Sequence, residues 1–198
     1  MTDFAKVERN LKQRGYTVKS FADGQEAAAY LNCVIDGTTV GIGGSATIEK
    51  TGVYELLKTH NTVYWHWKQD VDTARKAAMD TEVYLTSVNA LSEDGEIVNI
   101  DAFGNRAAAT LFGHRKIFFL VGRNKLTGNY SDAVWRARNV AAPRRAQQQK
   151  CRTPCAVHAD RCYDCKSPER ICRGMVTLWA PMAGTEAEIL LIDQDLGL

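Results

Sequence analysis

The sequence has no long apolar run: no stretch approaches the roughly 18 consecutive apolar residues that a membrane-spanning helix requires. A secretory signal is not predicted either, because the start of the chain is amphipathic and charged, at Asp3, Lys6, Glu8, Arg9 and Lys12. An excess of one charge is also missing, since the net charge is only +2. We therefore expect a cytoplasmic protein without a membrane span, and nothing in the charge suggests nucleic acid.

The composition is not that of a disordered or fibrous chain. Hydrophobic residues make up 45% and charged residues 24%, as in a soluble globular protein. The length of 198 residues suits one α/β domain with a sizeable core, so we expect a single domain over residues 1–198. The chain has six cysteines, and because the cytoplasm disfavours structural disulfides, clustered cysteines there indicate a metal.

Hydrophobic periodicity alternates between helical and short β-branched segments up to residue 145. Helices are predicted over residues 3–14, 24–33, 53–59, 71–79, 107–111 and 131–145, and strands over 17–20, 39–42, 62–65, 83–86 and 116–121. Residues 87–100 are predicted to form a hairpin around the Asp94-Gly95 turn. Two apolar runs, 175–179 and 189–192, are expected to return the chain to the sheet. This alternation predicts an α/β fold with a mostly parallel sheet and helices on its faces.

A glycine-rich segment, VGIGGSAT at residues 40–47, follows a predicted strand and precedes a helix expected to begin near Thr47. Gly41, Gly43 and Gly44 would let the backbone turn sharply and approach a ligand. Ser45, Thr47 and the free amides of the helix start can donate to a phosphate or a carboxylate. No Gly-Lys-Ser/Thr follows, which excludes a Walker loop. The alternative is a tight connection that binds no ligand.

A polar run, SVNALSEDGEIVNIDAFGNR at residues 87–106, is the next candidate, because α/β proteins place their chemistry at strand ends. Asp94 and Asp101 are the candidate catalytic acids or bases, although a turn position such as Asp94 also favours a solvated acidic residue. Asn99, Asn105 and Arg106 are candidates for ligand binding, or for hydrogen bonds within the loop itself.

Four cysteines are concentrated in a segment rich in Lys and Arg, residues 150–173, with the spacing Cys155-x6-Cys162-x2-Cys165-x6-Cys172. A Cys-x2-Cys pair places two sulfurs on one side of a tight turn, and two flanking cysteines can complete a four-sulfur cage for zinc or for an iron–sulfur cluster. Free thiols or a redox disulfide are the alternatives. Cys33, on a predicted apolar helix face, is expected to be a small core residue.

Basic residues are frequent in the same half of the chain: Lys125, Arg136, Arg138, Arg144, Arg145, Lys150 and Arg152. They favour an anionic neighbour, such as a small carboxylate substrate, an acidic partner subunit or a thiolate cluster. A solvated helix face is the alternative. The run Tyr64-Trp65-His66-Trp67 is predicted to be a strand end whose aromatic side chains pack over the sheet.

Taken together, several segments resemble the LUD-domain family, also called lactate utilization protein C-like or YkgG-like, from about residue 15 to residue 198. They are GIGGSAT, SVNALSEDGEIVNIDAFGNRAA, KIFFLVGRNKL, ARNVAAPRRA and TPCAVHADRCYDCKSPERIC. The resemblance implies a NagB/RpiA/CoA-transferase-like fold, a three-layer α/β/α sandwich with a Cys-rich loop, residues 150–173, inserted before the final strands. It also implies a pocket lined by residues 41–47 and by EDGEIVNIDAFGN, which is similar to a pocket-lining stretch of sugar-phosphate isomerases.

Relatives in the resembled family are linked to the oxidation of L-lactate to pyruvate, together with partner subunits that carry iron–sulfur clusters. Cys155, Cys162, Cys165 and Cys172 match the cysteines of the subgroup with this tail, with a [4Fe-4S] centre as the first choice and zinc as the alternative. The resemblance thus implies an oxidoreductase subunit that binds a small anion, with homo-oligomerisation left open. The competing interpretation is a non-redox sugar-phosphate or acyl-ligand-binding enzyme or module with structural zinc. Acyl transfer is disfavoured, because no CoA-transferase glutamate motif is present.

Overall fold

The computed structural model describes residues 4–198, and two sheets organise this part of the chain. Its ten strands are β1 (Thr17–Phe21), β2 (Thr39–Ile42), β3 (Thr62–Trp65), β4 (Val83–Ser87), β5 (Ala90–Ser92), β6 (Ile97–Asp101), β7 (Lys116–Gly122), β8 (Leu126–Thr127), β9 (Gly174–Leu178) and β10 (Glu186–Ile192). The central sheet has six strands in the order β1-β10-β7-β4-β2-β3, and all of its pairings are parallel.

Helices connect most of these strands, as the alternating periodicity predicted. Within residues 4–198 they are α1 (Phe4–Gln13), α2 (Gly24–Val34), α3 (Ala46–Thr51), α4 (Val53–Leu57), α5 (Val71–Ala77), α6 (Asn105–Leu111), α7 (Tyr130–Arg136), α8 (Ala142–Gln148) and α9 (Pro154–His158). Residue 3, which the sequence assigned to the first helix, lies outside the described residues. No helix in the described range has the length and apolarity needed to cross a bilayer.

The core lies on both faces of the central sheet, because the side chains of a strand alternate between its faces. Along β10, Leu190 and Ile192 pack into one apolar cluster, whereas Ile189 and Leu191 pack into the other. The first cluster is closed by α2, α3 and α4, and the second by α1, α6 and the smaller sheet. The predicted fold class, an α/β protein with a mostly parallel sheet and flanking helices, is therefore confirmed.

The smaller sheet has the order β8-β5-β6-β9 and was predicted only in part. The hairpin is present, since β5 and β6 pair antiparallel on either side of the turn at Asp94 and Gly95. The expectation that residues 175–179 return to the central sheet was wrong. Strand β9 instead pairs antiparallel with β6, and β10 alone rejoins the central sheet, between β1 and β7.

The long helix after β8 differs from its prediction. It continues beyond Arg145 to Gln148, through a π-helical segment, Ala137–Ala141, in which the Ala142 amide donates to the carbonyl of Ala137, five residues earlier. A proline inside an α-helix clashes with the carbonyl four residues before it. The wider π turn immediately before Pro143 relieves that clash, so the helix continues past the proline.

Cys33 is exposed, so its assignment to the core was wrong. Helix α2 buries Gly24, Ala27, Ala28 and Leu31, which form one stripe. Two residues after Leu31 the helix has turned by about 200°, and this places Cys33 on the solvent face. Residues 149–173 have the single helix α9 and otherwise irregular backbone.

Candidate functional site

A cavity of about 290 Å³ lies at the carboxyl edge of the central sheet. Its wall comes from the chain after β2 (Ser45), after β3 (His66), at the end of β4 (Ser87) and after β7 (Lys125), with α6 and the π-helical segment on its other sides. Open parallel sheets bind ligands at this edge, because the loops that follow adjacent strands meet there. We name it the cationic cavity, after the basic side chains that line it.

The glycine-rich segment reaches this cavity with its second half. Gly44, Ser45 and Thr47 line it, whereas Gly41 and Gly43 do not. A Cβ on Gly44 would stand 3.0 Å from Nε1 of Trp67 and 3.2 Å from Nε2 of His66, so a residue without a side chain lets this loop approach both rings. Ser45 caps α3 by accepting a hydrogen bond from the amide of Ile48 at 3.2 Å.

The polar run of residues 87–106 contributes Asp101, Asn105 and Arg106 to the wall. Asp101 is buried, and its carboxylate accepts hydrogen bonds from the backbone amides of Ala102 (2.7 Å), Phe103 (3.2 Å) and Ala107 (3.0 Å). Its lone pairs therefore hold the start of α6. Arg106 donates to the carbonyl of Ile100 at 2.6 Å, and its Nε lies 3.8 Å from the Asp101 carboxylate.

Two predicted site residues of the polar run also lie away from the cavity. Asp94 is exposed in the β5–β6 turn and does not line the wall. Asn99 is buried in β6, where its side-chain oxygen accepts a hydrogen bond from the Asn89 amide at 3.0 Å. Asn89 itself lines the cavity, so Asn99 supports a wall residue.

Four basic side chains face the cavity, namely Arg75, Arg106, Lys125 and Arg145, against a single acidic side chain, Asp101, within residues 4–198. Among the described residues, Nε of Arg75 and Nδ1 of His66 are buried without a hydrogen-bond partner. Burial lowers the pKa of His66, and the nearby cations Arg75, Arg106 and Arg145 add to this effect. A small anion would neutralise the excess positive charge and supply the missing acceptor for Arg75.

Lys125 is the most enclosed of these cations, with 4% of its surface exposed. Its Nζ donates to Oγ1 of Thr47 at 2.6 Å and to Oγ of Ser87 at 2.9 Å. Within residues 4–198 it forms no ion pair with a carboxylate, the usual partner of a buried lysine. Burial lowers the pKa of Lys125 well below its ordinary value, and the neighbouring Arg136, Arg106 and Lys50 lower it further.

The four clustered cysteines, Cys155, Cys162, Cys165 and Cys172, line one small pocket, which we name the cysteine pocket. Several donors point at its sulfurs. The backbone amide of Asp164 lies 3.3 Å from Sγ of Cys162, and a guanidinium nitrogen of Arg170 lies 3.5 Å from Sγ of Cys172. In the described part of the chain, no three His, Cys, Asp or Glu side chains are close enough to hold one metal ion.

The two sites have wall residues in common. Ala142, the first residue of α8, and Ile171, in the irregular segment, line both the cationic cavity and the cysteine pocket. The two candidate sites predicted from separate parts of the sequence are therefore neighbours.

Sequence reasoning missed several wall residues. Lys125 and Arg145 were noted only as members of a basic group, and His66 and Trp67 only as a strand end packing over the sheet. Lys125, His66 and Trp67 have a common signal, since each follows a strand of the parallel sheet, whereas Arg145 lies on α8. A search for polar residues after every predicted strand would have found His66, although Lys125 becomes notable only through its burial.

Comparison with known proteins identifies the family of this chain. The family model described as the LUD domain matches residues 4–192. The chain belongs to the LUD-domain family. A crystal structure of a DUF162 family protein from Deinococcus radiodurans is similar, with a TM-score of 0.55, 10% identity and coverage of 95% of this chain and 94% of that chain. At that identity the likeness shows a common fold alone, and the search of curated proteins found no match.

The resemblance drawn from the sequence motifs is thereby confirmed. The LUD-domain family is linked in general to lactate utilization, and this coarse statement applies to the chain as a member.

Proposed function

We propose that this protein is a subunit of a system that oxidises L-lactate, or a related small 2-hydroxy acid, and that the cationic cavity binds the acid as its carboxylate. The observation that carries this proposal is the cavity wall, in which four basic side chains face a single acidic side chain and Nε of Arg75 lacks an acceptor in the described range. Guanidinium groups suit carboxylates, because their N–H donors match the two oxygens. A three-carbon acid fits easily, since the volume of about 290 Å³ equals that of roughly ten water molecules.

We also propose that the cysteine pocket holds a [4Fe-4S] centre through Cys155, Cys162, Cys165 and Cys172. Such a centre would accept and pass on electrons from the oxidation, with partner subunits of the system as the next carriers. The donor set fits, because four thiols line one pocket and N–H groups point at the sulfurs of Cys162 and Cys172.

The proximity of the two sites supports a redox role over the isomerase or transferase interpretation. Ala142 and Ile171 are small or apolar residues, and each lines both the cavity and the cysteine pocket. A carboxylate bound in the cavity would thus lie one residue layer from the cluster. A structural metal would not need this arrangement, since it could hold the 150–173 segment at any distance from the cavity.

Calorimetric titration of the full chain with L-lactate tests the cavity. We expect saturable binding, weakened about ten- to one-hundredfold by Arg75→Gln, because a hydrogen bond from a charged donor to the carboxylate is lost. Arg115→Gln removes the same charge from an exposed residue just before β7, at the opposite edge of the sheet, and should bind as the wild type does. No binding to the wild type, or equal losses in both variants, would contradict the proposed site.

Metal analysis of anaerobically purified protein tests the cluster. We expect about four iron atoms per chain and a broad absorption band at about 400 nm that dithionite bleaches. Cys165→Ala should abolish both signals, whereas Cys33→Ala, which changes an exposed cysteine on α2, should leave them intact. A colourless protein with stoichiometric zinc would refute the iron–sulfur assignment and leave the carboxylate site to be judged by its own titration.

A further inference from the structure

Lys125 is held in a way that a purely structural lysine does not require. It lies at the end of a 3₁₀ turn, Arg123–Lys125, directly after β7, and its side chain reaches across the sheet edge to Thr47 and Ser87. A buried ammonium is normally stabilised by a carboxylate. Here both partners are neutral hydroxyls, and the surrounding charged groups Arg136, Arg106 and Lys50 are all positive.

The protons of both hydroxyl groups are used in hydrogen bonds to other acceptors. Thr47 donates its hydroxyl proton to the carbonyl of Leu196 at 3.1 Å, and Ser87 donates its own to the carbonyl of Leu120 at 2.5 Å. Each hydroxyl therefore presents only lone pairs to Nζ of Lys125. A neutral amine has two N–H bonds and one lone pair, so these two acceptors satisfy both of its N–H groups.

This pairing leaves the nitrogen lone pair of the neutral amine unused, and the Lys125 side chain lines the cationic cavity. Burial and neighbouring cations lower the pKa of Lys125, which increases the fraction of neutral amine at neutral pH. Enzymes use the same two influences, desolvation and nearby positive charge, to activate lysine amines that attack carbonyl carbons.

We propose that Lys125 is a nucleophile that binds a 2-oxo acid, the class of compound to which pyruvate belongs, as an imine in the cationic cavity. This inference rests on the proposed function, because it requires the cavity to hold a small carboxylate. Arg75 and Arg145 would hold that carboxylate, while Lys125 faces the adjacent carbonyl carbon. L-Lactate, which has a hydroxyl at this carbon, would bind without any covalent step.

The covalent step balances without an oxidant or reductant. The Nζ lone pair forms a bond to the carbonyl carbon, the carbonyl π bond breaks towards oxygen, and the oxygen takes up the proton that nitrogen loses. The resulting carbinolamine expels its hydroxyl group as water after protonation and leaves a protonated imine. Hydrolysis reverses both stages and releases the 2-oxo acid and the free amine.

Borohydride trapping tests the inference on the full chain. Wild-type protein is incubated with pyruvate and sodium cyanoborohydride, and intact mass and peptide mapping follow. We expect one reduced pyruvate adduct per chain, located on Lys125, and no adduct with L-lactate. Lys125→Arg and Lys125→Met should give no adduct, and Lys150→Arg, which changes an exposed lysine, should react as the wild type does.

The outcomes separate the two proposals. Calorimetric binding of pyruvate or L-lactate without an adduct on Lys125 would overturn the imine and leave the carboxylate site standing. Adducts spread over surface lysines, and unchanged in Lys125→Arg, would also overturn it. No binding of either acid would overturn the proposed function and the imine together. Peptide mapping of the wild type locates the adduct even where a Lys125 variant fails to fold.

Discussion

The guanidinium carbon of Arg145 lies 4.7 Å from the ring centre of Trp67, so a cation from α8 stacks on an aromatic side chain that follows β3. Both residues line the cationic cavity. Burial lowers the pKa of Arg145, and Arg106 lowers it further, yet a guanidinium stays charged at neutral pH. The stacked pair therefore fixes one positive charge in the cavity wall.

Trp67→Leu should weaken L-lactate binding by about three- to thirtyfold, because a partly buried cation–π contact contributes about 0.5–2 kcal/mol to holding Arg145 in place. The loss should appear in the calorimetric affinity. Trp135→Leu, which changes an exposed tryptophan on α7, is the matched control and should bind as the wild type does. Equal affinities for Trp67→Leu and the wild type would show that the ring does not position the cation.

Gly41→Ala should destabilise the fold through crowding, although Gly41 does not line the cavity. An added Cβ would press against the carbonyl oxygen of Ala78 and stand 2.7 Å from Oγ1 of Thr81. Overpacking of this kind costs about 1–3 kcal/mol, which lowers the melting temperature by about 2–12 °C in a chain of this size.

Gly174→Ala is the control for this substitution, since a Cβ there would meet nothing within 4 Å. Thermal unfolding followed by circular dichroism compares the two variants. If Gly41→Ala melts at the temperature of the wild type, or if Gly174→Ala loses as much stability as Gly41→Ala, the close approach of the Ala78 carbonyl to β2 is not as described.

Lys125 should make stability rise with pH. Its pKa lies below the ordinary 10.5 in the folded protein and returns to that value on unfolding. Between the folded and the unfolded pKa the unfolded chain binds more protons, so the free energy of unfolding increases with pH over that window. The main cause is burial, and the cations Arg136, Arg106 and Lys50 add to it.

Urea unfolding of the wild type and of Lys125→Met, from about pH 7 to about pH 9.5, measures this effect. The wild type should gain stability relative to Lys125→Met as the pH rises, because the variant lacks the titrating group. Every other lysine is common to both proteins and cancels in the difference. Parallel profiles, or a difference that shrinks with rising pH, would show that Lys125 is not held with a lowered pKa.

Local patterns predicted the central sheet well, because its strands differ sharply from the helices between them. The segment 116–121, for example, is almost wholly apolar and forms most of the buried strand β7. Local patterns do not predict which strands pair with each other. Strand β9 pairs with β6, more than seventy residues earlier, and nothing in the residues of either strand distinguishes that pairing from one with the central sheet.

The candidate site was predictable where chemistry is concentrated in one segment, as with the glycine-rich loop and the cysteines. Lys125 shows why the other residues of the site could not be predicted. Its role depends on Thr47 and Ser87, which come from two other strand ends, and on burial by residues from several elements. This environment of Lys125 is created by the packing of the sheet edge, and the residues next to the lysine in the sequence do not indicate it.

Among the residues that the helical stretch from α7 to α8 buries, Ala133, Ala137, Ala142 and Ala146 follow one another at steps of four, five and four residues, and Ala141 is buried beside Ala142. A regular α-helix would repeat this face every three or four residues, so the π-helical segment accommodates one residue more than the two helices need. Deletion of one residue between 137 and 141 should therefore keep both helices in phase with the core. The change in length would fall on the cavity wall, where Ala141 and Ala142 lie, so insertions and deletions at this point would reshape the binding site and spare the fold.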